Sequence, residues 1–502
     1  MTIALHWFRT DLRVADNPGL AAAQASGLPV AGLYIATPAQ WDMHDDAPIK
    51  RDFWRRNLYE LQQSLTALGI PLLKLQVQRY DDIPVLLEQL LPVLRVGELH
   101  CNLEVPINER KRDEAVATLC QQLGVRLHRH LDHLLIAPQA VLNKSGEPFK
   151  VFTPFSKTAR ALLLAAPVLH SVKPQHVLIL PALPQGLVTA LPDSGEAQPQ
   201  WEEQWPAGET HAHRRMLSFC QQRITDYKVA RDLPAMDGTS TLSAYLAAGV
   251  LSIRQCWLEA TRWHDGNGVF TWQNELLWHD FYKYIMWHYP HVCRHLPWKT
   301  DIGHVPWRHD NKQFQQWCEG RTGVPIVDAA MRQLLQTGWM HNRLRMITAM
   351  FLSKHLLIDW RWGERWFMQH LVDGDFAANN GGWQWSASTG TDSVPYFRIF
   401  NPVTQSQRFD TDGSFLRRFL PELAALDNKT IHEPGLLRPA NYPPGVPGNG
   451  SIVWNKPGLP PVAVLNLQAR TFMPPMENPF LLAQSEVARL RTATKVILVD
   501  FH

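Results

Sequence analysis

The sequence predicts an α/β N-terminal domain, a parallel sheet with flanking helices, followed by an all-α C-terminal domain. Three observations carry that prediction. Short apolar runs alternate with helix-period stretches from Ile3 to Val77. A proline-rich, aperiodic segment then occupies 179–208. Beyond it, from His213 to about Leu426, helical patterning dominates, and most of the 20 tryptophans fall between Trp257 and Trp385.

Taken in order, Ile3–Phe8 reads as a buried strand, and the polar turn Asp16-Asn17-Pro18 opens a helix over Gly19–Ala25. Leu28–Ile35 is a second strand. Arg51–Leu68 keeps a helical period through Phe53, Leu58, Leu61 and Leu65 and stops at Gly69, and Ile70–Val77 is a third strand. This alternation implies a parallel sheet covered on both faces. No G-x-G-x-x-G follows the first strand, so the dinucleotide fingerprint is absent. The expected division is 1–135 for the α/β domain, 136–212 for an interdomain linker, 213–442 for the helical domain and 443–502 for an irregular tail. Within that tail, Pro479–Leu490 reads as one short helix.

With 45% hydrophobic and 19% charged residues the chain is core-forming. Its greasiest run, Ala161–Leu169, is too short for a membrane span and is broken by Pro167. Arg9, Asp11 and Arg13 stand where a secretory signal would be apolar. The six cysteines contain no CxxC pair, which argues against a disulfide framework or a metal site and for a reducing cytoplasm. A net charge of +3 permits a local basic patch and implies no particular partner.

Several constellations carry chemistry. Thr239, Ser240, Thr241 and Ser243 gather hydroxyls and backbone N–H groups ahead of a helix, a cradle for phosphate oxygens. Glu275, Trp278, His279 and Tyr282 fall at i, i+3, i+4 and i+7 and share a helix face. Trp339, Asn342, Arg343 and Met346 repeat that spacing. A core stripe would not carry Glu, Asn and Arg, because burying them unpaired costs several kcal/mol each, so both faces predict a polar cavity. The surplus indoles suit a planar ligand, a nucleic acid or electron transfer.

The runs Gly338-Trp339-Met340-His341-Asn342-Arg343-Leu344-Arg345-Met346, Asp373-Gly374-Asp375 and Asn379-Asn380-Gly381-Gly382-Trp383-Gln384-Trp385 stand beside Asp359-Trp360-Arg361, Gly390-Thr391-Asp392 and Tyr396-Phe397-Arg398-Ile399-Phe400-Asn401-Pro402. Upstream lie Gly238-Thr239-Ser240-Thr241-Leu242-Ser243, Asn274-Glu275-Leu276-Leu277-Trp278 and Trp7-Phe8-Arg9-Thr10-Asp11-Leu12-Arg13. Over about residues 1–440 this pattern resembles the photolyase/cryptochrome family, within it the class I enzymes for cyclobutane pyrimidine dimers. The resemblance stops after Tyr442-Pro443-Pro444.

The resemblance implies FAD as cofactor. Thr239, Ser240, Thr241, Leu242 and Ser243 would hold its diphosphate, with Tyr227 nearby, although Thr241 stands where the family often has a small or basic residue. Asp373 and Asp375 would hold the ribityl and ring edge, and Asn379 would face the flavin N5. Trp272, Trp339 and Arg345 complete the flavin pocket, with Glu275, His279 and Asn342 beside them. His279 departs from the usual Arg. Trp278 and Trp385 would wedge a flipped-out dimer, Glu275 would bond the damaged base, and Asn342 a pyrimidine carbonyl, with Met346 and Tyr282 alongside. Arg231, Arg343, Arg398 and Gln405 would meet the DNA strand. Trp383, Trp360 and Trp307 match an electron relay. His44, Asn108, Glu109, Cys293 and Arg294 match a site for a folate antenna, 5,10-methenyltetrahydrofolate; other branches hold a deazaflavin or nothing there.

The implied activity is a carbon–carbon lyase reaction: light-driven repair of cyclobutane pyrimidine dimers by electron transfer from excited, reduced FAD. The expected partner is UV-damaged DNA, single- or double-stranded and without sequence preference, and the expected state is a cytoplasmic monomer. Two sister readings compete. Enzymes for (6-4) photoproducts carry histidines at the positions of Asn342 and Met346, because that lesion also needs proton transfer. Cryptochromes usually replace Asn379, and plant ones also lose the Trp278/Trp385 pair. A hydride-transferring flavoenzyme finds no support in these motifs.

Overall fold

Ile3–Phe8 forms strand β1, buried at every position as a central parallel strand requires. With β2 (Val30–Ala36), β3 (Leu72–Gln76), β4 (Val96–Asn102) and β5 (Arg126–His130) it builds a wholly parallel sheet in the order β3-β2-β1-β4-β5. The order reverses between β1 and β4, and ligands of such sheets bind outside the carboxyl ends of the strands at that point. Ile3, Leu5 and Trp7 form a core with residues of the helices Ile83–Val93 and Ile107–Leu123. Ala4 and Phe8 join Leu20 of the helix Pro18–Ala25 and Phe53, Leu58, Leu61 and Leu65 of the helix Pro48–Ala67. Asn17 caps the first of these, its side chain accepting from the Leu20 N–H at 3.0 Å.

The computed structural model describes residues 2–165, 167–183, 186–187, 198–263, 265–300, 305–393, 395, 398–432, 450–454, 460–468 and 478–501. They fall into two compact units, Met1–His309 with Gln333–Arg398, and Asp310–Arg332 with Ile399–His502. Parts of the proline-rich segment 179–208, and Tyr396 and Phe397 of the last family motif, lie outside the described residues.

Beyond the sheet, the first unit is helical, as predicted. The helices Glu209–Gln222, Ile253–Trp263 and Asn267–His288 contribute Phe219, Cys256, Trp272 and Phe281 to the same core that holds Phe8 and Phe53. Four buried charges join sheet and helices. Arg13 donates to both carboxylate oxygens of Asp132, Arg254 donates to Asp132 at 2.8 Å and to Asp16 at 2.9 Å, and Ser252 donates to Asp16. Burial alone would raise the Asp132 carboxyl; Arg13, with His133 and Arg254, more than offsets this and holds it far below the usual range.

The helix Asn342–Met350 begins at its N-cap His341, whose Nδ1 accepts from the Arg343 N–H at 3.2 Å. Trp339, read from the sequence as the first member of that helix's face, lies ahead of the cap. Gly338, in left-handed backbone at φ 65°, turns the chain there.

The second unit holds the helices Asn311–Cys318, Pro402–Phe409 and Ser414–Phe419, and Arg332 pairs with Glu422 at 2.7 Å. The segment expected to be an irregular tail, 443–502, instead carries a second sheet. β6 (Ser451–Trp454) runs antiparallel to β7 (Val462–Leu467), and β8 (Val496–Phe501) runs parallel to it. Ala463, Leu465 and Leu467 alternate inward against Leu490 of the expected helix, Pro479–Leu490. Prolines and glycines around these short runs mask a period of two.

Two expectations follow. Arg254→Met strips buried Asp16 and Asp132 of a partner and should cost about 3–5 kcal/mol, seen as a lower urea midpoint at unchanged slope. Burial holds the His341 imidazole neutral, with its pKa down at about 4 from 6.5. The unfolded chain therefore binds more protons between those values, and stability should fall as the pH drops through that window. The loss is on the order of 3 kcal/mol. His341→Asn, which preserves the cap, should flatten that part of the pH–stability curve.

Candidate active site

A cavity of about 490 Å³ opens among the helices Asn267–His288, Asn342–Met350 and Phe376–Ser386. The face predicted on the first helix, Glu275, Trp278, His279 and Tyr282, lines it together with Trp272. Asn342 and Met346 enter from the second helix, and Asn379, Trp383 and Trp385 from the third. Tyr227, Arg231, Thr239, Ser240, Ser243, Arg345, Asp373 and Asp375 complete the predicted set that the fold brings together.

Other predicted residues point elsewhere. Thr241 sits at φ 48°, and its hydroxyl accepts from Arg215 at 2.8 Å and donates to the Ser240 carbonyl. Leu242 is buried in the core. Arg343 turns to Asp232 at 2.8 Å. Trp339 touches the site through its Nε1, which donates to Ser243 Oγ at 3.3 Å. Arg398 is exposed in the first unit, and Gln405 lies on the helix Pro402–Phe409 of the second.

The charges of the cavity come in pairs. Arg231 donates to Glu275, whose carboxyl burial nonetheless pushes above its ordinary value. Arg345 forks onto both oxygens of Asp373 at 2.7 and 3.0 Å. Asp375 caps its helix through the Ala378 N–H at 2.9 Å and pairs with Lys283. Burial would raise Asp375, but Lys283 and His279 hold it far below the usual carboxylate range. Lys283 was missed in the sequence, although it is i+8 from Glu275 and extends the same face. His279 Nδ1 lies 3.4 Å from Asp280 Oδ1.

Asn379 is neutral among these ions. Its Nδ2 donates to the Glu364 carbonyl at 2.9 Å, which leaves Oδ1 as an acceptor. Trp278 lies flat on Phe152, ring centroids 3.8 Å apart and planes 6° from parallel.

The three relay candidates differ in exposure. Trp383 and Trp360 are fully buried, and Gly363, one turn after Trp360, packs directly on the Trp383 indole. Trp307 is half-buried, and its neighbour Arg308 bridges to Ile358, two residues before Trp360.

A second cavity, about 240 Å³, lies outside the carboxyl ends of β1, β2 and β4, the point the strand order marks. His44, Asn108, Glu109 and Cys293 line it, whereas Arg294 is exposed and does not. Asn108 donates to His44 at 3.1 Å, and Tyr80 donates to Glu109 Oε1 at 3.2 Å. Glu109 Oε2 is buried with no partner among the described residues, and burial pushes the carboxyl above its ordinary value. Leu246, Ala247 and Asp375 line both cavities.

Comparison with known proteins agrees with this geometry. The family model for DNA photolyase matches residues 4–174, and that for the FAD binding domain of DNA photolyase matches 272–443. Residues 426–502 match a model for YmdB-like protein instead. A deoxyribodipyrimidine photo-lyase of Vibrio cholerae is 46% identical over 435 residues, covering 86% of this chain and 92% of that relative. A bacterial class III photolyase from Agrobacterium tumefaciens superposes with a TM-score of 0.76 at 34% identity, over 86% of this chain and 89% of its own. An archaeal photolyase from Sulfolobus tokodaii with two FAD molecules gives 0.71 at 27%, over 89% and 96%. The parallel sheet, the aromatic cavity with its paired carboxylates and these matches lead to one conclusion: the chain belongs to the DNA photolyase family, the FAD-dependent enzymes of light-driven pyrimidine-dimer repair.

Proposed function

We propose a division of labour for that repair among the residues of the larger cavity. Thr239, Ser240 and Ser243, with Tyr227, hold the FAD diphosphate. Asp375 and the Arg345–Asp373 fork hold the ribityl chain and ring edge. The Asn379 Oδ1 accepts at N5 without adding charge beside an electron-rich ring. When bound there, reduced FAD would supply the photoexcited one-electron chemistry that opens the cyclobutane ring. The chain's own part is to bind, orient and keep water away. Trp278, backed by Phe152, and Trp385 offer flat aromatic faces to a flipped-out dimer, and stacking there is indifferent to base identity. Glu275 and Asn342 bond the pyrimidine edges, and Met346 and Tyr282 pack beside them.

The observation that carries this reading is that Asn342 and Met346 line the same cavity as Asp373, Asp375 and Asn379. Neither is a histidine, the residue that enzymes for (6-4) photoproducts carry at these two positions for proton transfer. Arg231, Arg343 and Arg398 of the first unit meet the phosphate backbone, which fixes register without reading sequence; Gln405, on the second unit, is a strand contact in its own right. Trp383, Trp360 and Trp307 relay electrons from the surface. His279, in place of the family's Arg, offers the cavity an imidazole beside Asp280.

The smaller cavity would hold a folate antenna, 5,10-methenyltetrahydrofolate, for which the unpartnered Glu109 Oε2 would be the acceptor of a pterin N–H. A second flavin, as in the Sulfolobus tokodaii protein, is the competing occupant. Six free cysteines support a reducing, cytoplasmic setting for a monomer that accepts single- or double-stranded damaged DNA. Among the described residues no helix is long and apolar enough to cross a membrane.

Blue light should restore thymine absorbance to UV-damaged oligothymidine mixed with the purified flavoprotein, and darkness should not. Repair of a (6-4) substrate in its place would overturn the assignment. Trp278→Ala should weaken binding to dimer-containing DNA by about 1–3 kcal/mol while sparing undamaged DNA. Glu109→Ala should lower folate stoichiometry, leaving repair under direct flavin excitation intact; unchanged folate content would remove Glu109 from the antenna site.

A further inference from the structure

The register of the sheet sets imidazoles side by side: His6 stands opposite His100, and His100 opposite His128. Side chains alternate along a strand, so Glu98 and His100 of β4 share a face with His128 and His130 of β5. His6 is already engaged, 3.1 Å from Asp11. The remaining groups converge on one carboxylate oxygen. Glu98 Oε1 is held by Arg126, and Oε2 lies 3.1 Å from His100 Nε2 and 3.7 Å from His128 Nε2. His128 Nε2 is buried and has no hydrogen-bond partner among the described residues. The three ligand atoms lie within 4.8 Å of one another.

We propose that Glu98, His100 and His128 bind a divalent transition-metal ion of the zinc type at the β4–β5 edge, with His130 positioning His100. Two imidazole nitrogens and one carboxylate oxygen are a zinc-type donor set that leaves a fourth place for water. Tetrahedral ligands about 2.1 Å from zinc are about 3.4 Å apart, so the widest gap closes by at most about 1.4 Å. His128, half-buried and stacked on His100 with ring centroids 4.6 Å apart, must turn its ring to aim Nε2 at the shared ion. His100 Nδ1 lies 3.2 Å from His130 Nε2, the ring-to-acceptor contact that orients a metal-bound histidine from behind. None of these residues lines either cavity, so the site is separate from the flavin and antenna sites.

Calorimetric titration of the flavin-loaded protein with Zn²⁺ tests this. One equivalent should bind and raise the melting temperature. His128→Asn and Glu98→Gln should each weaken binding at least about tenfold and abolish the thermal shift, and His130→Asn should weaken it about 10–100-fold. Flavin content and repair should be unchanged in His128→Asn, which shows that the variant is folded. Absence of binding, or equal affinity in wild type and a folded His128→Asn, would overturn the proposal.

Discussion

Two guanidiniums sharing one buried carboxylate form the joint on which the rest of the first unit depends. Arg13 follows β1, Asp132 follows β5, Asp16 precedes the helix Pro18–Ala25, and Arg254 lies on the helix Ile253–Trp263. The four charges sum to zero, and every one is hydrogen-bonded. A slip between sheet and helices would strand a charge in a medium that cannot solvate it, which is more punishing than a slip between apolar faces. The carboxyl edge of the sheet is therefore held at one setting against the helices, and Leu246, Ala247 and Asp375 become the common wall of two hollows.

Compensation recurs inside the larger hollow. Glu275 with Arg231, Asp373 with Arg345 and Asp375 with Lys283 are carboxylates that each carry their own cation. An electron-rich ring placed among them would meet little net negative field, and Asn379, which lines the same hollow, is uncharged. A carboxylate in its place would repel the very charge that the site must store.

The sequence was most legible where one helix carried the information. The face from Glu275 to Tyr282 needed only a period of 3.6 and the rule that buried charges have partners. Where conformation depends on a single turn, the pattern misled: Gly338 and the His341 cap put Trp339 outside the helix, and the left-handed Thr241 turns its hydroxyl to Arg215. Strands β4 and β5 carry Glu98, His100, Arg126, His128 and His130, so they do not look like strands of a buried sheet. β6–β8 hide among prolines and glycines. The cluster around Glu98 was invisible for another reason: it is assembled by strand register, and no spacing along the chain encodes it.

Among the described residues β5 pairs only with β4, which leaves its other margin open. It is five residues long, and Arg126 and Arg129 project from it. A short margin studded with cations is a poor template for a foreign strand. The β5 edge, one of two with β3, can thus stay bare without inviting a foreign strand to extend the sheet.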